Sequence, residues 1–463
     1  MILNRRDFIR HSLSALALAS LPRITLAQDT DGKYDYVLIA EEAPFEILPG
    51  TTTPGMSFNG GFPAPVLRAR QGKRIRINFI NRLKEPTTIH WHGIRIDIAM
   101  DGVPFLTQPP IKPGENFVYD FICPDAGTFW YHPHVNSLEQ LSRGLVGTLI
   151  VEEESPLPFD ADIILQLKDW HMNKDGSFKP FSSPRQAARM GTLGNVKTVN
   201  GETTKGTISP VVEIPAGGAI RARLVNLDNT RVYNITLKDY PCQVLAHDGN
   251  AIAEPYPLDV RPTGAGMRLD LGLIAPEQAG EEVIIYDRKG KFNFEICRLR
   301  TVESGLPKRT EIPALPLNPI ASPDLENAET RHFVFEWEGA LSPSNADGEV
   351  NHRFWMINKR AWEGAGPQRI PEPLAELELG KSYIFELHNA TPHAHPIHLH
   401  GYSFTVLDSS KREIIPYHTD TILLAKNERA RIAFVADNPG RWMYHCHVIE
   451  HMKTGLMGYI TVG

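Results

Sequence analysis

Tyr444-His445-Cys446-His447-Val448-Ile449-Glu450-His451, near the C-terminus, decides how the rest of the chain is read. Successive side chains of a β-strand point to opposite faces. A strand here turns His445 and His447 one way and Cys446 the other. Two imidazoles then reach one site and a thiolate reaches a second, with only a few covalent bonds between them. Thiolate plus imidazole is the donor set of a blue-copper electron-transfer centre, commonly two histidines, one cysteine and a weak axial group. Imidazoles alone suit a second copper centre that can bind oxygen. A buried thiol beside chance histidines is the plainer reading, and it loses because matching histidine clusters occur at three other places.

The same stretch exposes an internal repeat. Gly440-Arg441-Trp442-Met443-Tyr444-His445-Cys446-His447 matches Gly127-Thr128-Phe129-Trp130-Tyr131-His132-Pro133-His134, with the cysteine standing where the first copy has proline. A second repeat occurs three times, as β-like runs over 72–81, 218–226 and 380–389, each opening on glycine and ending in Asn81, Asn226 or Asn389. His90-Trp91-His92-Gly93 follows the first run and His398-Leu399-His400-Gly401 the third. The second is followed by Tyr233-Asn234-Ile235-Thr236, without histidine. Short β-rich runs between turn residues, in a chain with 36 Gly and 37 Pro, point to an all-β protein of sandwich domains. The boundaries expected are 33–153, 157–305 and 328–463. Ser155-Pro156-Leu157-Pro158 and the Pro-rich stretch 313–323 serve as connections. The middle domain keeps the strand pattern without ligands and reads as a spacer.

Four His-x-His pairs result: His90/His92, His132/His134, His398/His400 and His445/His447. One pair alone is an ordinary polar strand face; four pairs in repeated positions are not. Eight imidazoles exceed what one copper takes and suit three coppers with positions left open for oxygen. His395, three residues before His398, and His451 complete the thiolate site. The third domain thus brings the whole mononuclear site and half of the cluster.

Together, His90-Trp91-His92-Gly93, Trp130-Tyr131-His132-Pro133-His134, His395-Pro396-Ile397-His398-Leu399-His400-Gly401 and Cys446 with His445, His447 and His451 resemble a three-domain, laccase-like multicopper oxidase of exported bacterial type. The resemblance implies three cupredoxin-like Greek-key β-sandwich domains and four copper ions. By family pattern His395, Cys446 and His451 bind the type 1 copper, and His90 and His398 the type 2. His92, His132, His134, His400, His445 and His447 bind the type 3 pair. Cys446 would pass electrons to His445 and His447. The family's axial position falls on Leu456, a non-coordinating side chain where many bacterial relatives carry methionine; Met457 beside it leaves a one-residue shift open. Asp101, in Asp101-Gly102, stands where the family places a proton-relaying acid, although the dipeptide alone reads as a turn. A second acid that follows the last histidine in several bacterial members is Met452 here, with Glu450 nearby.

The activity implied is one-electron oxidation of a small reducing substrate coupled to four-electron reduction of O2 to water. Only 10 methionines, with no Met-rich insertion, favour phenols or aromatic amines over Cu(I), whose soft ligands are thioethers. The alternatives are a cuprous or other metal-ion oxidase in metal homeostasis, and a non-catalytic copper-binding or cupredoxin scaffold protein. The formal charge of −6 with no basic stretch gives no footing for nucleic acid. Asn4-Arg5-Arg6-Asp7-Phe8-Ile9-Arg10, the apolar run from Leu13 to Leu21 and Thr25-Leu26-Ala27 read as a twin-arginine signal over residues 1–27, hence periplasmic export. That segment carries a net +3, so its removal takes the charge from −6 to −9. No later stretch reads as a membrane span, and a monomer is expected. Beyond Cys446, Cys242 and Cys297 could pair in an oxidising compartment, which leaves Cys123 free.

Overall fold

The computed structural model describes residues 32–204, 209–338, 354–362, 364, 366 and 370–463. The signal-like segment lies outside them. The described chain folds into three β-sandwiches. In the first, the sheet ordered Thr52–Phe58, Tyr36–Glu46, Arg74–Asn81, Asn116–Ile122 accompanies one ordered Leu67–Arg70, Gly147–Glu152, Gly127–His132, His90–His92. The middle one combines a seven-stranded and a five-stranded sheet. In the third, a six-stranded sheet that includes Ser382–Asn389 and Arg429–Val435 accompanies a sheet ordered Ala375–Leu377, Met457–Val462, Gly440–Cys446, His395–Leu399, Thr421–Leu424. Among the described residues no helix is long and apolar enough to cross a membrane.

Alternation explains why these runs are strands. In Arg74–Asn81, Ile75, Ile77 and Phe79 face inward while the residues between them are more exposed. Each of the three runs ends in a fully buried asparagine, and all three do the same work. Their Oδ1 atoms accept the backbone N–H two residues on, from Leu83 (2.9 Å), Asp228 (3.1 Å) and Thr391 (3.0 Å). Their Nδ2 groups donate to the carbonyl at the far side of the turn, of Glu85, Arg231 and His393, and to a distant one, of Ile111, Thr263 and Ala425. The asparagine side chain stands in for backbone partners that a strand leaving its sheet would otherwise lose. The recurring residue is thus a corner that fixes the path from strand to ligand loop.

Register then carries the ligands. His90 lies opposite His132, and His398 opposite His445, so the two repeats meet at equivalent cross-strand positions. The Pro-rich connection is strapped down by Asn318, which exchanges hydrogen bonds of 2.9 Å with the Ala126 backbone and donates to Gly249 O of the middle sandwich at 3.3 Å. Cys242 and Cys297 do not pair. Both thiols are free and buried in the middle core, each directed at the carbonyl of its own neighbour. That core is filled by Leu224, Val244, Leu271 and Leu299 and needs no cross-link to close it.

Candidate metal centre

Cys446 ends the strand Gly440–Cys446, and His395 opens the strand paired with it. A short helix, Ile449–Lys453, returns His451 to the same spot. Cys446 Sγ lies 3.5 Å from His395 Nδ1 and 3.7 Å from His451 Nδ1, and the two nitrogens are 3.1 Å apart. All three residues are fully buried. Ligands about 2.0–2.3 Å from one metal stand apart by roughly these distances. The outer ring nitrogens are held from behind: His395 Nε2 by Thr391 Oγ1 at 2.8 Å, and His451 Nε2 by the Arg189 carbonyl at 2.7 Å. Trp355 covers the pair, its ring centroid 4.2 Å from that of His451 and 5.0 Å from that of His395. Burial holds His395 well below the ordinary imidazole range and brings His451 down to about 3, so both rings are neutral donors.

Leu456 shares the core of Cys446 and is fully buried, and its carbonyl accepts the Cys446 N–H at 3.0 Å. Met457 packs into a different core, with Trp130, Met443 and Met452. The neighbours point to opposite sides, and the thioether belongs to the side away from the thiolate. Glu450 accepts from the Thr192 backbone N–H and from Thr192 Oγ1 of the middle domain, so it is committed there.

On the other face of the same strand the eight remaining histidines converge from the first and third sandwiches. His90 stacks on His400 and His92 on His398, each pair with centroids 3.8 Å apart. Within this buried group Nε2 of His90, His132, His134 and His398, Nδ1 of His92 and both nitrogens of His447 have no hydrogen-bond partner. His400 Nε2 and His445 Nε2 face each other at 3.1 Å. A buried polar atom without a partner is costly; seven of them on six clustered rings are a donor set for metal. Burial pushes His92, His132, His134, His398, His400, His445 and His447 below the ordinary imidazole value, which leaves bare lone pairs. The donor set fits copper: neutral imidazole suits it, and thiolate adjoins in the second site.

Two aspartates bracket the cluster in a near-symmetric way. The Asp101 carbonyl accepts from His90 Nδ1 at 2.8 Å, and its carboxylate meets His400 Nδ1, from the other sandwich, at 3.0 Å. The Asp420 carbonyl accepts from His398 Nδ1 at 2.9 Å, and its carboxylate meets His92 Nε2, again across the interface, at 3.1 Å. Each aspartate therefore fixes one ring by backbone and another by side chain.

Sequence reading brought together all eleven donors and Asp101, but missed Asp420. Asp101 follows an Asp-Gly pattern, whereas Asp420 sits between Thr419 and Thr421 with nothing in its spacing to mark it. It also missed how closely the middle domain approaches. That domain gives no ligand, yet Trp130 Nε1 donates to Gly266 O at 3.1 Å, and a Cβ on Gly266 would stand 2.8 Å from the His447 ring.

The multicopper oxidase family models match residues 40–156 and 339–463. The chain is 47% identical to the multi-copper oxidase of Pseudomonas thermotolerans, whose crystal structure superposes with a TM-score of 0.84 over 92% of this chain and 98% of that one. It is 28% identical to the multicopper oxidase mco of Staphylococcus aureus, covering 94% of this chain and 90% of that protein. It is 28% identical to Laccase-2 of Botryotinia fuckeliana, covering 88% and 78%.

Proposed function

The chain belongs to the multicopper oxidase family, and from that membership and its site geometry we propose that it takes electrons singly from phenols or aromatic amines at the Cys446 site. The oxidant is O2. The observation that carries the reading is one strand, Gly440–Cys446, running into His447 and serving two donor sets, a His395–Cys446–His451 triad and a cluster of eight imidazoles. In this reading His395, Cys446 and His451 hold the type 1 copper. His90 and His398 hold type 2, and His92, His132, His134, His400, His445 and His447 hold the type 3 pair. When bound, copper supplies one-electron acceptance at the thiolate and four-electron reduction of O2 to water at the cluster.

The protein's own part is placement. Cys446 is bonded through the main chain to His445 and His447, so the two sites share a covalent route of a few bonds. Thr391 and the Arg189 carbonyl hold the outer nitrogens of His395 and His451 and keep the inner ones aimed at the thiolate. Asp101 holds His400 Nδ1 and is the carboxyl group able to take or give a proton beside the cluster.

Phenolic or aromatic-amine donors are favoured over Cu(I) by the fate of the thioethers. Met56, Met172, Met267, Met443, Met452 and Met457 are buried in cores, and among the described residues Met190 alone is strongly exposed. A similarity to a fungal laccase supports the same reading. A cuprous or other metal-ion oxidase is the alternative. Residues 1–27 further support periplasmic export by the twin-arginine route, which cell fractionation of an Arg5→Lys/Arg6→Lys variant tests: the variant should stay inside the cytoplasm.

The deciding experiment is metal analysis with an absorption spectrum, followed by oxygen uptake with phenols, aromatic amines, Cu(I) and Fe(II). About four coppers per chain, the number the family implies, a blue band and uptake driven by phenols are expected. Uptake driven by Cu(I) or Fe(II) alone would replace the substrate class, and a colourless, copper-poor protein after reconstitution would overturn the site.

Leu456 makes a separate prediction. A thioether donates weakly to copper and stabilises Cu(II) more than an alkyl group does. Leu456→Met should therefore lower the type 1 potential by at least tens of millivolts, on the scale of ~59 mV per tenfold change in a one-electron equilibrium. Met457→Leu should change it little. A redox titration in which only Met457→Leu shifts the potential would reverse the assignment.

A further inference from the structure

Arg268 belongs to the middle domain, on the strand Arg268–Ile274, and its side chain is completely buried beside the cluster. All five guanidinium hydrogens are engaged. Nε donates to Thr128 O of the first sandwich at 3.0 Å. Nη1 donates to Gly266 O at 3.2 Å and Nη2 to Asp248 O at 3.0 Å, both in its own domain. The fork is completed by Asp420 of the third sandwich, with Nη1 to Oδ1 at 3.0 Å and Nη2 to Oδ2 at 2.6 Å. One residue thus ties all three domains together at a single carboxylate.

That carboxylate controls a ligand. Asp420 Oδ1 also accepts from Thr421 Oγ1 at 2.7 Å and faces His92 Nε2 at 3.1 Å. A proton held on Nε2 leaves Nδ1 of His92 as the bare nitrogen, and Nδ1 is the atom without a partner. His90, His132, His398 and His445 are arranged the opposite way: their Nδ1 atoms face backbone carbonyls, of Asp101, Pro133, Asp420 and Cys446. A main-chain carbonyl is held in place by the backbone on either side of it. A carboxylate on rotatable bonds is not, and a bidentate guanidinium is the partner that fixes it. Gly93, directly after His92, has φ of +89°, and a Cβ there would collide with both Arg268 Nη2 and Asp420 Oδ2. The chain next to the ligand is cleared for this ion pair.

We propose that Arg268 is a positioning residue of the histidine cluster: from the ligand-free domain it locks the Asp420 carboxylate, which in turn makes His92 present Nδ1. The inference rests on the copper reading of the cluster. Its signature is selectivity, because the Cys446 site uses none of these contacts. Copper affinity should fall in the cluster alone.

The test uses the full-length protein reconstituted with copper. Copper per chain is measured during chelator competition, the blue band reports the Cys446 site, and electron paramagnetic resonance reports the cluster. Arg268→Gln and Asp420→Asn should each keep the blue band and lose cluster copper at chelator concentrations at least tenfold lower than the wild type. Arg268→Lys keeps the charge without the fork, so it should rescue only part of the loss. The double variant should be no worse than the poorer single one, since Arg268 acts through Asp420. Wild-type retention of cluster copper in either single variant would overturn the inference, as would additive losses in the double. If Arg268→Gln does not fold, the near-isosteric Asp420→Asn carries the decision. Loss of the blue band together with cluster copper in both would make the pair a general clamp and overturn it too. A wild type without cluster copper would overturn the copper reading itself.

Discussion

Cys446→Ser is expected to abolish the blue colour and reduce substrate-driven oxygen uptake by more than about 10³-fold, equivalent to ~4 kcal/mol on the barrier, while most of the cluster copper stays bound. The serine is nearly isosteric and sits in a fully buried position, so the strand Gly440–Cys446 should keep its register with His395–Leu399. What changes is the donor. A serine oxygen cannot give the thiolate-to-copper charge transfer that colours the site, and it is a poor replacement in a soft donor set. His445 and His447 project to the other face and keep their own contacts, as His445 Nδ1 still meets the backbone carbonyl of residue 446. Copper analysis, the visible spectrum and steady-state oxygen uptake check the three parts separately. A blue, active Cys446→Ser protein would remove Cys446 from the route.

Much of this was legible because the donors sit on strands. Period-two alternation separates Cys446 from His445 and His447 before any coordinates are known, and the repeated Gly-x3-Tyr-His-x-His marks the first and third sandwiches as related. The register bears this out, with His90 opposite His132 and His398 opposite His445. The asparagine ending each of the three runs was visible as a recurrence, but its role as a corner needed the structure. What stayed hidden depends on packing between sandwiches. His92 and Asp420 are 328 residues apart, and Arg268 and Asp420 are 152 apart. No local pattern encodes either meeting. Which ring nitrogen a histidine offers is hidden for the same reason, since the partner on the other nitrogen decides it. The middle domain reads as a spacer from sequence because function was sought in ligand types, whereas its contribution is a buried guanidinium and two close-approaching backbone stretches, at Gly266 and Arg189.

The pairing of Asp420 with Arg268 also separates the two bracketing aspartates by their partners. Burial by itself would raise the Asp420 carboxyl, but the Arg268 guanidinium and the His398 contact bring it below the usual carboxylate range, so it stays charged and fixed. Asp101 meets His400 Nδ1 at 3.0 and 3.2 Å and forms no ion pair with Arg or Lys among the described residues. Oxygen reduction consumes protons, and the proposed relay for them is the Asp101 carboxyl. Asp101→Asn should leave anaerobic reduction of the Cys446 site by substrate unchanged and slow reoxidation by O2 by ~10²-fold or more, the lower end of what a positioned acid contributes. The amide oxygen can still accept from His400 Nδ1, and the main-chain carbonyl still holds His90, so ligand geometry is retained while proton exchange is lost. Stopped-flow mixing resolves the two steps. Reoxidation at the wild-type rate would return Asp101 to a turn residue that happens to hold a histidine, and the proton would have to reach the cluster by another group.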